Sequence, residues 1–288
     1  MTKEEDIKTK QKRDSERIAS LTLMDDVFMS KVFEDKQCVE VLLQAILDKK
    51  DLTVVNVEVQ RSIASLQGRS VRLDILAHDS TGKKYNIEVQ NSNSGATPKR
   101  ARYNSSMLDA NITDSGDKYE DLAETYVIFI TAQDYFHAGK AVYHIERIVT
   151  ETKRQFGDKS HIIYVNASTQ EDTELGRIMH DFHCTQVKDF QTETLANRVK
   201  YFKETESGKR RLSGMLEEMR AESREEGRAE GRKEGREEEK RKIAKNLISA
   251  KIPMDTIQET SGLSKEILIA LEKELKEEQG KPAKCAAN

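Results

Sequence analysis

The amino-acid sequence predicts a mixed α/β domain, with helices covering a sheet, followed by a charged helical linker and a small C-terminal helical hairpin. The first indication is the order of patterns, which is helix, three strands, helix and strand, an αβββαβ core. The second is a change near Thr205, where charged residues and glycine replace the apolar pattern. The third is composition: of 288 residues, 36% are hydrophobic and 34% charged, which indicates a solvated helix outside the core.

The sequence argues against several classes of protein. The first residues, "MTKEEDIKTKQKRDSER", contain no apolar region of a secretory signal, and no stretch approaches the ~18 apolar residues of a membrane span. Cys38, Cys184 and Cys285 are widely spaced, so neither a disulfide framework nor a zinc knuckle is expected. The net charge of -3 neither supports nor excludes a polyanionic partner. We therefore expect a soluble cytoplasmic protein with no membrane partner.

Each element of the predicted core rests on a local pattern. Residues 25–50 carry apolar side chains at helical spacing and predict one or two helices. Residues 52–60, "LTVVNVEVQ", alternate valine with polar residues and predict a strand with its valines on one buried face. A helix with a basic start is expected in "TPKRARYNSSMLDANI" and strands in "TYVIFITA" and "SHIIYVNA", followed by a helical pattern from Thr173 to about Lys203.

The expected divisions of the chain follow its composition. Residues 1–20 are expected to be a flexible N-terminus, and residues 21–205 form the α/β domain. Residues 206–242 form the charged linker, in which Gly227, Gly231 and Gly235 recur at every fourth position. Residues 243–278 form the hairpin, broken at Pro253 and Gly262, and residues 279–288 a flexible tail.

A hairpin is predicted for residues 71–90, "VRLDILAHDSTGKKYNIEVQ". The three-residue loop 80–82 places Gly82 where such loops need a left-handed residue. This loop sets His78 opposite Lys84 and Asp74 opposite Glu88. A two-residue loop is disfavoured because it sets apolar faces against polar ones. The preferred register therefore brings two carboxylates together.

Two interpretations account for the facing carboxylates. Like charges in this position destabilise a strand pair by roughly 0.2–1 kcal/mol, and a divalent cation removes the repulsion. Asp74, Glu88 and the carbonyl of Val89 between the strands supply part of an oxygen-rich site for Mg²⁺ or Mn²⁺, and Glu58 on the preceding strand could join it as a supporting acid. Alternatively, the acids lie on a solvent-facing strand surface and are neutralised by Arg72 and Lys84. Spacing alone leaves both interpretations open.

The acids also occur in a familiar arrangement. Asp74 followed by Glu88, Val89 and Gln90 resembles the PD-(D/E)XK phosphodiesterase core, with glutamine where lysine is usual. "NIEVQ" is similar to the "IE-x-Q" form of the Rpn-type recombination-promoting nucleases, also called PD-(D/E)XK family transposases.

Further motifs extend the resemblance over roughly residues 20 to 275. "DDVFMSKVF" is similar to the opening helix of that family, with Asp26 and Phe33 matching, whereas Met29 and Ser30 depart from the preferred phenylalanine and lysine. "KRARYN" resembles its R-x-x-Y motif, "SGDKYEDLAETYVIFI" its G-x-x-Y-x-x-L motif and strand, and the charged segment its usual tail.

The resemblance implies a restriction-endonuclease-like fold, DNA as substrate and phosphodiester hydrolysis as reaction. Asp74 and Glu88 would bind the cation, and the catalytic set would be Asp74, Glu88 and Gln90, with Asp26 as a supporting acid. An amide at Gln90 can orient water by hydrogen bonding but adds no charge. A catalytically silent DNA-binding or assembly protein with the same fold is therefore the alternative.

The helix after the hairpin begins with basic residues. Lys99, Arg100 and Arg102 are interpreted as phosphate contacts that position DNA without reading its sequence. Arg100 and Tyr103 share a helix face, which favours a common role at the site. The alternatives are ordinary surface charge for Arg102 and simple packing for Tyr103.

Three other patterns receive structural interpretations. "HDFHC", which contains His180, Asp181, His183 and Cys184, is expected to pack and cap rather than bind metal. Gly227, Gly231 and Gly235 share a helix face, so a homodimer through this helix is possible, although a solvated linker is favoured. The last segment has the outline of a helix-turn-helix, but its glutamates disfavour phosphate contacts and favour a packed hairpin.

Overall fold

The computed structural model describes residues 3–63, 71–113, 116 and 118–279. Within these ranges, the chain forms two compact units, Met1–Leu216 and Glu217–Asn288. The predicted flexible tail, apart from Gln279, and Cys285 with it, lies outside the described residues.

The first unit contains a six-stranded sheet with helices on both faces. Its helices are α1 (Lys3–Ser20), α2 (Asp26–Val32), α3 (Lys36–Leu47), α4 (Pro98–Ile112), α5 (Glu174–His183), α6 (Glu193–Glu204) and the start of α7 (Glu206–Ser249). Its strands are β1 (Val54–Ile63), β2 (Val71–Asp79), β3 (Lys84–Gln90), β4 (Thr125–Thr131), β5 (Val142–Ile145), β6 (Ile148–Val149), β7 (Arg154–Gln155) and β8 (Ser160–Asn166).

The strand order is β1-β2-β3-β4-β8-β5, and β6 pairs with β7 in a separate small hairpin. Strands β1, β2 and β3 are antiparallel neighbours, whereas β3, β4 and β8 run parallel. Every residue of β4 is buried, as expected for a central strand covered on both faces. The predicted mixed sheet flanked by helices is confirmed, and it is consistent with a restriction-endonuclease-like fold.

Helix α4 covers one face of the sheet. Thr97 caps its start by accepting a hydrogen bond from the Arg100 N–H, and Pro98 occupies the first turn, where it does not disrupt the helix. Its buried stripe packs on β4 and β8, in a cluster that includes Ala101, Leu108, Val127, Phe129 and Tyr164. On the rest of the sheet, α2 contacts β2 and α3 contacts β1, while α5 and α6 pack on α3.

The beginning of the chain differs in detail from the sequence patterns. Residues 3–20 form helix α1, and Ile18 near its end is 2% exposed. The flexibility of this segment stays a prediction. In β1 the predicted buried valine face is not present, because Val55 is 59% exposed while Val54 and Ile63 are buried. A register shift between Val54 and Asn56 turns the side chains, and β1 is an edge strand with less to cover it.

The helical pattern from Thr173 to Lys203 divides into α5 and α6, with an irregular segment between them. Strands β5, β6 and β7 were not predicted, because they are short and lack a clear alternation. Helix α7 begins at Glu206, and its first turns belong to the first unit, since Leu212 and Leu216 are buried there.

In the second unit, α7 continues without interruption to Ser249 and is followed by α8 (Met254–Ser261) and α9 (Lys265–Gln279). The predicted linker and the start of the predicted hairpin are therefore one helix. Gly262 has a φ of 67° and ends α8 in the left-handed conformation, as the break at this glycine predicts. Apolar side chains from all three helices form a small core, made of Ala244, Ile257, Leu263, Leu268 and Leu271.

Candidate active site

The β2–β3 hairpin has the predicted register. The observed pairs include His78 with Lys84 and Ile75 with Ile87. Gly82 has a φ of 87°, and the Asp79 carboxylate holds the turn by accepting hydrogen bonds from the N–H groups of Thr81 and Lys83.

Beyond the pair of Ile75 and Ile87, the described residues of β2 and β3 are joined by hydrogen bonds between side chains and backbone N–H groups, and not by backbone–backbone bonds. The Val89 N–H donates to Asp74 Oδ2 at 3.0 Å, and the Asp74 N–H donates to Glu88 Oε1 at 3.4 Å. Each carboxylate therefore accepts from the opposite strand, and the structure brings Asp74 and Glu88 into one site.

Glu88 lies in the protein interior, and its side chain is 0% exposed. Arg100 Nη2 on α4 donates to Glu88 Oε2 at 2.8 Å, and Asn86 Nδ2 donates to Glu88 Oε1 at 3.1 Å. A buried carboxylate with a charged partner and an amide donor is held in one orientation.

The interpretation of these acids as a solvent-facing surface neutralised by Arg72 and Lys84 is wrong for Glu88, whose side chain is buried, although the charge of Arg72 still lowers the pKa of the half-buried Asp74. Arg72 donates to Gln60 Oε1 on β1, and the Lys84 ammonium lies 3.2 Å from His78 Nδ1. Helix α4 covers this face and supplies Arg100 as the partner of Glu88 instead.

Burial raises the pKa of Glu88, and the negative charge of Asp74 raises it further, while Arg100 acts in the opposite direction. Burial also raises the pKa of Asp74, which is opposed by the Val89 N–H and increased by the nearby charge of Asp26. The site thus holds more negative charge than its arginines offset.

Asp26 joins the site from α2, whereas Glu58 does not. Asp26 is the first residue of α2, and burial followed by the charge of Asp25 raises the pKa of its carboxyl. Glu58 lies opposite Leu76 on β2, and it forms an ion pair with Arg61. Glu58 is therefore paired with Arg61 on the surface and does not join Asp74 in the site.

Gln90, at the end of β3, lies beside Arg100. Arg100 Nη1 is 3.3 Å from Gln90 Oε1 and donates to the Gly95 carbonyl at 2.9 Å. A Cβ atom on Gly95 would lie 1.9 Å from Gln90 Oε1, so this position favours glycine. The turn between β3 and α4 thus places the amide of Gln90 and the guanidinium of Arg100 side by side.

The other predicted DNA contacts lie along α4. Lys99 and Arg102 are exposed, and Tyr103 is half-buried. Arg100 differs from them, because it faces the carboxylates and lies 5.9 Å from the centroid of the Phe129 ring.

The donor set fits a hard divalent cation. Two carboxylates meet at the site, and the Val89 N–H points to Asp74. In an extended strand the N–H and C=O of one residue point to the same side, so the Val89 carbonyl is directed there too. Oxygen donors of this kind suit Mg²⁺ or Mn²⁺. Glu88 would share its carboxylate between the cation and Arg100.

Two features of the site were missed in the sequence. Asn86 contacts Glu88, and a signal was present, because Asn86 lies two residues earlier on the same strand face. The role of Arg100 as the ion-pair partner of Glu88 had no local signal, since the two residues meet only through tertiary packing.

The "HDFHC" segment has the predicted capping role. Asp181 is buried, and its carboxylate accepts from the N–H groups of Gln191 and Thr192 at 2.7 and 2.9 Å, just before α6. The side-chain donors of His180, Asp181 and Cys184 lie within 4.8 Å of one another. Burial raises the pKa of the Cys184 thiol to about 11.

Among the described residues, we find no helix with both the length and the apolar character needed to cross a membrane.

An acid on each of two neighbouring strands, at the edge of a mixed sheet flanked by helices, defines a protein of the PD-(D/E)XK nuclease type. A comparison with protein families matches residues 24–246 to the PD-(D/E)XK nuclease family transposases, and the chain belongs to this family. Comparisons with curated proteins and with solved structures give no match.

Proposed function

We propose that the chain is a metal-dependent DNA endonuclease that hydrolyses phosphodiester bonds, of a recombination-promoting or transposase-associated type. The observation that carries this proposal is the meeting of the buried Glu88 and the half-buried Asp74, whose backbone N–H donates to Glu88 Oε1, with the pKa of both carboxyls raised. With the Val89 carbonyl they would hold Mg²⁺ or Mn²⁺. Such a cation, when bound, polarises the scissile phosphate and makes water more acidic.

The remaining roles fall to side chains around the acids. Gln90 would orient the attacking water through its amide, since it has no charge to offer. Arg100, which already lies beside Glu88 and Gln90, would stabilise negative charge on the phosphate. Lys99 and Arg102, exposed on α4, would contact flanking phosphates, with Tyr103 on the face of Arg100. Asp26 would remain a supporting acid.

The test is nicking of supercoiled plasmid with and without Mg²⁺. We expect Asp74→Ala and Glu88→Ala to lower the rate by on the order of 100-fold or more. Glu58→Ala serves as the matched control, because this acid is paired with Arg61 outside the site. Circular dichroism checks that each variant is folded. Wild-type rates in Asp74→Ala would refute the assignment.

A second candidate function is a catalytically silent DNA-binding or assembly protein with the nuclease fold. Two observations favour it: glutamine at position 90 in place of the usual lysine, and the ion pair that Arg100 makes with Glu88. It predicts salt-sensitive DNA binding without nicking in Mg²⁺ or Mn²⁺. Nicking gained only in Gln90→Lys would support this candidate.

A further inference from the structure

The loop after β4, residues 133–140, lies at the same edge of the sheet as the candidate active site. Strands β3, β4 and β8 are parallel, so their carboxyl ends meet there. The Ala132 N–H donates to the Gln90 carbonyl at 3.0 Å, and Thr131 Oγ1 donates to the Gln133 carbonyl at 2.7 Å. These bonds fix the place where the loop leaves the sheet.

The loop turns to the face that α4 covers. The Phe136 ring packs on the Tyr164 ring with centroids 5.1 Å apart, and the Tyr164 hydroxyl donates to the Ala96 carbonyl just before α4. Glu88 pairs with Phe129, and Phe129 pairs with Tyr164, in one row across the sheet. Tyr164 is thus two strand spacings, or about 10 Å, from Glu88. The ring of Phe136, which packs on Tyr164, therefore lies near the candidate active site.

Hydrogen bonds fix the shape of the loop. The Asp134 carboxylate accepts from the N–H groups of Phe136 and Gly139 at 3.1 and 2.7 Å, and from the Tyr143 hydroxyl at 2.8 Å. His137 has a φ of 55°, a left-handed conformation uncommon outside glycine. A loop already ordered loses little conformational freedom when it binds a ligand.

The loop presents an aromatic ring and a cation to solvent. Phe136 is 39% exposed, and Lys140 is exposed as well. Tyr119 and Phe156, the other exposed aromatics of the described first unit, precede β4 and β8 and so lie toward the opposite edge. The loop that leads to α5 carries the exposed acids Glu171 and Asp172 near Ala132, and their charges disfavour a polyanion on that side of the loop 133–140.

We propose that the loop 133–140 is a second DNA contact, in which Phe136 stacks on an unpaired base and Lys140 contacts a neighbouring phosphate. The inference rests on the proposed function and specifies its substrate class: DNA with unpaired bases near the bond that is cut. A phenyl ring has no group that reads a base edge, and every base has a face on which it can stack. The preference is therefore for unpaired bases and not for a sequence.

The test compares binding of the full chain to a duplex and to the same duplex with a two-nucleotide bulge. Fluorescence anisotropy is measured in Ca²⁺, which takes the same oxygen ligands as Mg²⁺. We expect the wild type to prefer the bulged DNA by about 5- to 150-fold, the range for one stacked base. Phe136→Leu keeps an apolar side chain on Tyr164 but should lose most of the preference. Lys140→Gln should lower the salt dependence of binding by about one phosphate contact.

Phe156→Leu is the matched control and should keep the preference, because this ring lies toward the opposite edge. The inference is overturned if the wild type binds both DNAs equally, if Phe136→Leu retains the preference, or if Phe156→Leu loses it equally. Mg²⁺-dependent nicking that Asp74→Ala abolishes, without any preference for the bulge, removes this inference and leaves the proposed function. Absence of both nicking and binding removes both.

Discussion

At the scale of single residues, the protonation state of Glu88 depends on tertiary packing. Its carboxylate is buried and accepts hydrogen bonds from the Asp74 N–H and the Asn86 amide. Among its described hydrogen-bond donors, Arg100 is the charged one, and it offsets the negative charge of the carboxylate. A carboxyl whose pKa is higher in the folded protein binds its proton more tightly there than in the unfolded chain. The folded state is therefore most stable with Glu88 protonated, in the absence of a cation.

The first prediction concerns Glu88→Gln. Without metal, the free energy of unfolding of the wild type should fall as pH rises from the usual carboxyl pKa through the raised one, and the fall should be smaller in the variant, which keeps the contributions of Asp74 and Asp26. Above that window the variant should be more stable by at least about 1 kcal/mol, the equivalent of one pKa unit. Urea unfolding in EDTA from pH 4 to about 9 measures the difference. This pH range starts near the usual carboxyl pKa and extends upward because the pKa of Glu88 is raised.

Added Mg²⁺ should stabilise the wild type and not Glu88→Gln, and cleavage by the variant should be lost. Glu58→Gln is the control, because this carboxylate lies outside the site and pairs with Arg61. Wild-type cleavage by Glu88→Gln, or a pH profile of stability identical to that of the wild type, would contradict the role of this acid.

At the scale of elements, the turn between β3 and α4 controls the geometry of the site. It is short, and it carries Gln90 at one end and Arg100 after the Thr97 cap at the other. Gly95 lies where both side chains converge, since the Arg100 guanidinium bonds its carbonyl and the Gln90 amide lies against its Cα. The positions of the Arg100 guanidinium and the Gln90 amide therefore depend on the absence of a side chain at Gly95.

The second prediction is that Gly95→Ala lowers cleavage by about 10-fold or more while lowering stability by less than about 1 kcal/mol. The added methyl meets the mobile end of Gln90, which can swing away, so the loss falls on the site and not on the core. Gly214→Ala on α7 is the control, because its Cβ meets no described atom within 4 Å. It should raise stability slightly and leave cleavage unchanged. Equal effects of the two substitutions would contradict this account.

At the scale of the whole molecule, the first unit contains the sheet, the acids and the basic helix. Its boundary lies beyond the change of composition near Thr205, since Leu212 and Leu216 of α7 are buried within it and Arg211 donates to Glu34. In the second unit, added Cβ atoms on Gly227, Gly231 and Gly235 would meet no described atom within 4 Å. Association of two chains along this glycine face remains a proposal.

The third prediction compares two fragments. Residues 1–216 should fold and nick DNA, whereas residues 1–203 should be less stable by about 3 kcal/mol or more, because the loss of Leu212 and Leu216 uncovers core surface. Thermal unfolding and the plasmid assay measure both. Sedimentation of the full chain and of the longer fragment tests association, and a dimeric 1–216 fragment would exclude the second unit as its cause. Equal stability of the two fragments would contradict the placement of the boundary.

The sequence by itself determined the mixed sheet, the hairpin register and the meeting of Asp74 and Glu88, because alternation, turn chemistry and strand period are local properties. It also determined where α8 ends and α9 begins, since Gly262 breaks the helix by its own conformation. Only the tertiary structure decided that Glu88 is buried and that Arg100 is its partner, with Arg72 and Lys84 hydrogen-bonded elsewhere. Burial and ion pairing depend on what α4 places over the strand, and contacts between distant segments have no local signature.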